Sequence, residues 1–174
     1  MTTMNRLIEI LTETADRLRD GAPYKWTHQG SCNCGHLAQT ITGLNSDEIH
    51  RIALTGEGEW RDHAATHCAS SGLAVDELIG SLLGAGLTIE ALGHLEWLSD
   101  PTVTKWLPAS RRSLSHKQRD DVVLYLDTWV QVLKADQLLR KEPDADILVN
   151  GLHYTRDFAS ELALDVNPAA GRAA

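Results

Sequence analysis

The residue types that could do chemistry are concentrated between positions 28 and 68. This stretch holds all three cysteines and five of the eight histidines in the chain. The residues are His28, Cys32, Cys34, His36, His50, His63, His67 and Cys68. Thiolates and imidazoles together are ligands that suit Zn, Fe or Cu rather than Ca or Mg. This combination of side chains therefore indicates a transition-metal site.

The spacing of these residues sharpens the prediction. Residues 32 to 36 form a C-x-C-x-H run, and thirty residues later Glu59, His63 and His67 follow at four-residue steps. Side chains four residues apart share one face of a helix, so two such imidazoles can bind one ion. We therefore predict a Zn or Fe site as the main function, with ligands drawn from Cys32, Cys34, His36, His63, His67 and Cys68. The alternative is a solvated helix face beside a buried Cys68.

Cys34 supports a second interpretation, a thiol-dependent enzyme or redox protein. The pattern places this cysteine at the start of a short helix, where backbone N–H groups and the helix dipole favour a thiolate. Cys32 could then act as its resolving partner. The segment from Gln29 to Gly35 resembles the Gln…Cys-Gly segment of papain-like cysteine peptidases, although the spacing is one residue shorter than in that family. The resemblance implies Cys34 as a catalytic nucleophile. A third interpretation is a helical protein-interaction module without chemistry.

The composition limits the class of protein that could carry such a site. The chain has 174 residues and a formal net charge of -8, which disfavours nucleic acid and anionic membranes as partners. Three cysteines are too few for a disulfide scaffold, and no apolar run approaches the ~18 residues of a membrane span. We expect a soluble cytoplasmic protein. A homodimer is compatible with the sequence, which does not identify a small-molecule substrate. The absence of a Cys-x-x-Cys-His run disfavours haem as a cofactor.

Hydrophobic periodicity predicts helices as the elements that position the cluster. Residues 4 to 18 repeat apolar side chains at three- and four-residue steps, which is typical of an amphipathic helix. The longest helix is predicted near residues 116–141, opened by a capping box from Ser115 to Gln118 and ended by Pro143. Residues 144–166 are also predicted to be helical, with a break at Asn150-Gly151.

These elements predict an all-α fold. We expect a compact single-domain bundle of about seven or eight helices over residues 1–166, followed by a flexible C-terminal tail, residues 167–174. A helix-turn-helix pattern from Val75 to Trp97 is interpreted as an ordinary αα-hairpin. Its second helix has two glutamates and no lysine or arginine to contact phosphate.

Overall fold

The computed structural model of the protein describes residues 2–53 and 74–155, except for the side chains of residues 53 and 74–78. The predicted ligands His63, His67 and Cys68 lie outside the described residues. The described part is mostly helical, which confirms the predicted fold class at that level. The helices are α1 (Thr3–Arg19), α2 (Asn33–Thr42), α3 (Ser46–Ala53), α4 (Ala74–Gly84), α5 (Ile89–Trp97), α6 (Pro101–Thr104) and α7 (Arg119–Lys141).

The amphipathic stripe of α1 forms one wall of the core. The helix begins where the Thr2 side chain accepts a hydrogen bond from the Asn5 backbone N–H, which is a normal N-cap arrangement. Its apolar face packs mainly against α7, the longest described helix. Both helices contribute buried leucines to the core, including Leu11 and Leu133.

The second helix lies deep in the fold, and its first six residues are all buried. Asn33 connects it to the end of α5, because the side-chain amide donates to the carbonyls of Leu95 and Glu96. The third helix starts close by with a capping box. Asn45 accepts from the backbone of Glu48, whose carboxylate accepts from the Asn45 backbone N–H. The capping box fixes the first turn of α3, which Gly30 and Ser31 of the loop before α2 contact at Ser46.

The region after Pro143 differs from the prediction. Residues 147–154 form a two-stranded antiparallel hairpin, β1 (Ile147–Val149) and β2 (Leu152–Tyr154), instead of a helix. The reason lies in the turn, where Asn150 and Gly151 both have positive φ, 50° and 80°. Two left-handed residues suit a tight hairpin turn and terminate a helix.

The start of the longest helix also differs from the prediction. The helix begins at Arg119 and not near 116. The Asp121 carboxylate accepts from the Ser115 backbone N–H, while Gln118 caps the helix without a side-chain hydrogen bond. None of the helices in the described ranges combines the length and the apolar character that a bilayer span requires.

Candidate functional site

A cavity of about 320 Å³ opens between the end of α1, the loop over residues 22–31, α2 and the start of α3. Most of the side chains that line it are polar. They are Arg17, Ala22, Pro23, His28, Ser31, His36, Gln39, Ser46 and Asp47. Its size falls at the lower end of the range for small-molecule sites. The cavity therefore has room for a molecule of metabolite size.

Arg17 is the cavity's permanent cation, and neutral groups hold it in place. One guanidinium nitrogen donates to Thr40 Oγ1 at 3.1 Å and the other terminal nitrogen donates to Gln39 Oε1 at 2.7 Å. Gln39 in turn donates to the Gly30 carbonyl at 2.7 Å. The guanidinium is therefore oriented by a connected set of hydrogen bonds, which lowers the entropy cost of binding a ligand.

Ser31 and Ser46 also line the cavity, and Gly30 precedes Ser31 in the loop. The hydroxyls of Ser31 and Ser46 lie 2.5 Å apart and share a hydrogen bond. Next to them, a Cβ placed on Gly30 would lie 1.8 Å from the Ser46 carbonyl oxygen. Only glycine allows the loop to approach α3 this closely. The contact fixes the distance across this side of the cavity.

Two histidines lie against each other where the loop meets α3. The rings of His28 and His50 are stacked, with centroids 3.8 Å apart and an interplanar angle of 24°. Burial, followed by the charge of His28, lowers the pKa of His50 below its ordinary value. The Nδ1 atoms of both rings are buried and have no hydrogen-bond partner within the described ranges. The neutral form of His50 is therefore favoured.

His36 borders the cavity from α2 and has a defined tautomer. Its Nε2 atom lies 3.0 Å from the Pro23 carbonyl oxygen. A carbonyl only accepts, so Nε2 carries the hydrogen and, in the neutral ring, Nδ1 carries a lone pair. Burial lowers the pKa of this histidine, whose exposure is only 2%. His36 thus ties the loop to α2 as a neutral group.

The predicted metal-site function is wrong for the part of the chain that the structure describes. Within residues 2–53 and 74–155, no group of three His, Cys, Asp or Glu side chains could hold a metal ion. Cys32 caps α2, where its sulfur accepts from the Gly35 backbone N–H. His36 donates to Pro23 instead. Positions 34 and 36 are separated by about 200° around a helix, so their side chains diverge.

Cys34, the predicted nucleophile, is completely buried. Its sulfur lies 3.9 Å from the Leu92 carbonyl oxygen, and its exposure is 0%. The side chain therefore packs in the core between α2 and α5. It is close to Cys32 in sequence, and both thiols are buried without a disulfide among the described residues.

The cavity residues Arg17, Gln39 and Ser46 were not singled out from the sequence. Arg17 reads as an ordinary polar position on an amphipathic helix, and its partner Gln39 is 22 residues away. The Asn45 capping pattern does predict the start of α3, so one edge of the cavity has a local signal. Arg17 reaches the cavity because α1 packs against α2, and such long-range packing leaves no pattern in the sequence around Arg17.

Trp26 of the loop forms an aromatic cluster with Trp97 and His116. The His116 ring lies 4.3 Å from the Trp26 ring and 4.8 Å from the Trp97 ring, measured between centroids. The Tyr24 hydroxyl donates to the His116 carbonyl. Trp97 is 48% exposed. These contacts hold the loop of residues 22–31 against the segment before α7.

The described fold and cavity define a mostly helical protein with a small polar cavity. The chain matches no protein-family model, no curated protein and no solved structure.

Proposed function

We propose that this protein binds a small polar molecule in the cavity beside Arg17. The observation that carries the proposal is the cavity itself, about 320 Å³ in volume and lined mostly by residues of polar type from four segments of the fold. Such a volume accommodates a ligand of metabolite size and excludes a macromolecule.

The lining supports binding because its polar groups are already oriented. Arg17 is held by Gln39 and Thr40, and Ser31 is held by Ser46. A ligand entering this site would not have to order these side chains itself, and preorganisation of this kind raises affinity. The tight contact of Gly30 with α3 holds the loop against the first turn of that helix, beside Ser31 and Ser46.

A thermal-shift screen of small polar metabolites, using the full chain, tests the proposal. A ligand present at about a hundred times its Kd should stabilise the protein by ~2.7 kcal/mol. For a chain of this size that corresponds to a rise of roughly 5 to 10 °C in Tm. Calorimetry would then measure the affinity of each hit.

Two matched variants locate the binding. Ala22 lines the cavity, and Ala22→Leu should fill part of it and reduce affinity at least about tenfold, since overfilled sites exclude their ligands. Ala109→Leu makes the same change on an exposed short 3-10 helix and should leave binding intact. Equal affinities in both variants, or a screen without any hit, would refute the proposal.

A further inference from the structure

We infer that the ligand of this cavity carries an oxyanion, a carboxylate or a phosphate, and that Arg17 binds it. The inference rests on the proposed function and names the chemical class of the ligand. The described arginines differ in whether their side chains pair with a carboxylate or with neutral groups.

Four of the described arginines lie at the surface and pair with a carboxylate. These arginines are Arg19, Arg111, Arg119 and Arg140. Arg17 differs because its side-chain hydrogen bonds go to Thr40 and Gln39, which are neutral. Within the described ranges no carboxylate forms an ion pair with it. Its charge is thus available to a ligand, although the side chain is partly buried.

The geometry of the guanidinium also favours an oxyanion. The group has five N–H donors in one plane and matches the paired oxygens of a carboxylate or phosphate. The bonds to Thr40 and Gln39 occupy one donor on each terminal nitrogen. The remaining donors of Arg17 can therefore be offered to the cavity that this side chain lines.

The other lining groups add hydrogen-bond donors close to the same space. Ser31 and Ser46 share a single hydrogen bond, so one of the two hydroxyl hydrogens remains for another acceptor. Asp47 is the carboxylate in the lining, but it lies exposed on the first turn of α3. Solvent screens an exposed charge, so Asp47 weakens anion binding without preventing it.

NMR titration of the isotope-labelled full chain at pH 7.5 tests the inference, with inorganic phosphate and acetate as separate probes. We expect at least one probe to shift the resonances of the cavity residues, and the stronger probe tells a phosphate ligand from a carboxylate ligand. Arg17→Gln should weaken that probe on the order of tenfold or more. Arg6→Gln removes the same charge about 16 Å further along α1 and should change the affinity less than twofold.

Two further variants make the test independent of folding defects in Arg17→Gln. Arg17→Lys keeps the charge but loses the planar fork, so it should retain part of the binding. Asp47→Asn removes the opposing charge and should strengthen binding about two- to fivefold. A loss of affinity in Asp47→Asn, or full affinity in Arg17→Gln, would overturn the inference.

The failure of this inference can be told apart from the failure of the proposed function. If a neutral ligand from the screen binds, is excluded by Ala22→Leu and is insensitive to Arg17→Gln, the cavity is a binding site but not an oxyanion site. If neither the probes nor the screen give binding, both proposals are wrong.

Discussion

At the scale of single residues, Gly30 lies beside the cavity and contacts two residues that line it, Gln39 and Ser46. Its carbonyl holds Gln39, which orients Arg17, and its Cα hydrogen faces the backbone at the start of α3. A side chain at this position has no free space, because its Cβ would lie 1.8 Å from the Ser46 carbonyl oxygen. Since the obstacle is backbone, it cannot turn aside as a flexible side chain would.

We therefore predict that Gly30→Ala lowers the free energy of unfolding by about 3 kcal/mol or more, as severe overpacking does. Gly80→Ala is the matched control. Gly80 is exposed in α4 and a Cβ there meets no atom within 4 Å, so this variant should gain ~0.5 to 1 kcal/mol from helix propensity. Urea denaturation at pH 7.5 measures both. A mild cost in Gly30→Ala would mean that α3 can move away from the loop.

At the scale of elements, the hairpin over residues 147–154 shows how a short turn anchors to the core. The Asn150 side-chain amide donates to the Trp106 carbonyl at 2.9 Å and to Thr128 Oγ1 at 3.0 Å. The Thr128 hydroxyl itself donates to the Leu124 carbonyl, so it can only accept from Asn150. One amide therefore ties the hairpin to α7 and to the residues after α6.

Two substitutions at Asn150 separate the contribution of the turn's backbone conformation from that of the side-chain hydrogen bonds. Asn150→Gly tolerates the positive φ but loses all three side-chain hydrogen bonds, including the one that Oδ1 accepts from Gln131 Nε2, and should cost ~1 to 3 kcal/mol. Asn150→Asp keeps the shape but places a carboxylate against two acceptors, so it should cost more than the glycine variant. Urea denaturation provides the comparison. If the aspartate variant were the more stable of the two, the donor role of this amide would be disproved.

The same hairpin shows what the sequence could and could not reveal. An Asn-Gly pair between β-branched and aromatic residues is a strong hairpin signal, whereas the helical prediction for residues 144–166 treated Asn150-Gly151 only as a break. The N-caps Thr2 and Asn45 do leave a local signal, because an N-cap side chain bonds only to its own first turn. The cavity had no such signal, since Arg17 and Gln39 meet only after α1 and α2 have packed together.

At the scale of the whole molecule, burial of histidines couples stability to pH. Burial is the largest cause that lowers the pKa of His36, of His50 and of His116. A base with a lowered pKa in the folded state binds more protons when the chain unfolds. The contribution of these neutral histidines to the free energy of unfolding is therefore fully present above their unfolded-state pKa near 6.5. It is lost as the pH falls from there toward their pKa values in the folded protein.

We expect the free energy of unfolding to decrease as the pH is lowered from 7.5 to 5.5, and His36→Gln isolates one contribution to this decrease. Glutamine stays neutral and can donate to the Pro23 carbonyl as Nε2 of His36 does. The variant should lose some packing against Tyr24 at every pH, but its stability should fall less steeply, by at most about 1.4 kcal/mol per pH unit for one histidine. Urea denaturation at half-unit steps measures both slopes. Parallel curves for the two proteins would show that His36 is not protonated on unfolding and would contradict the linkage.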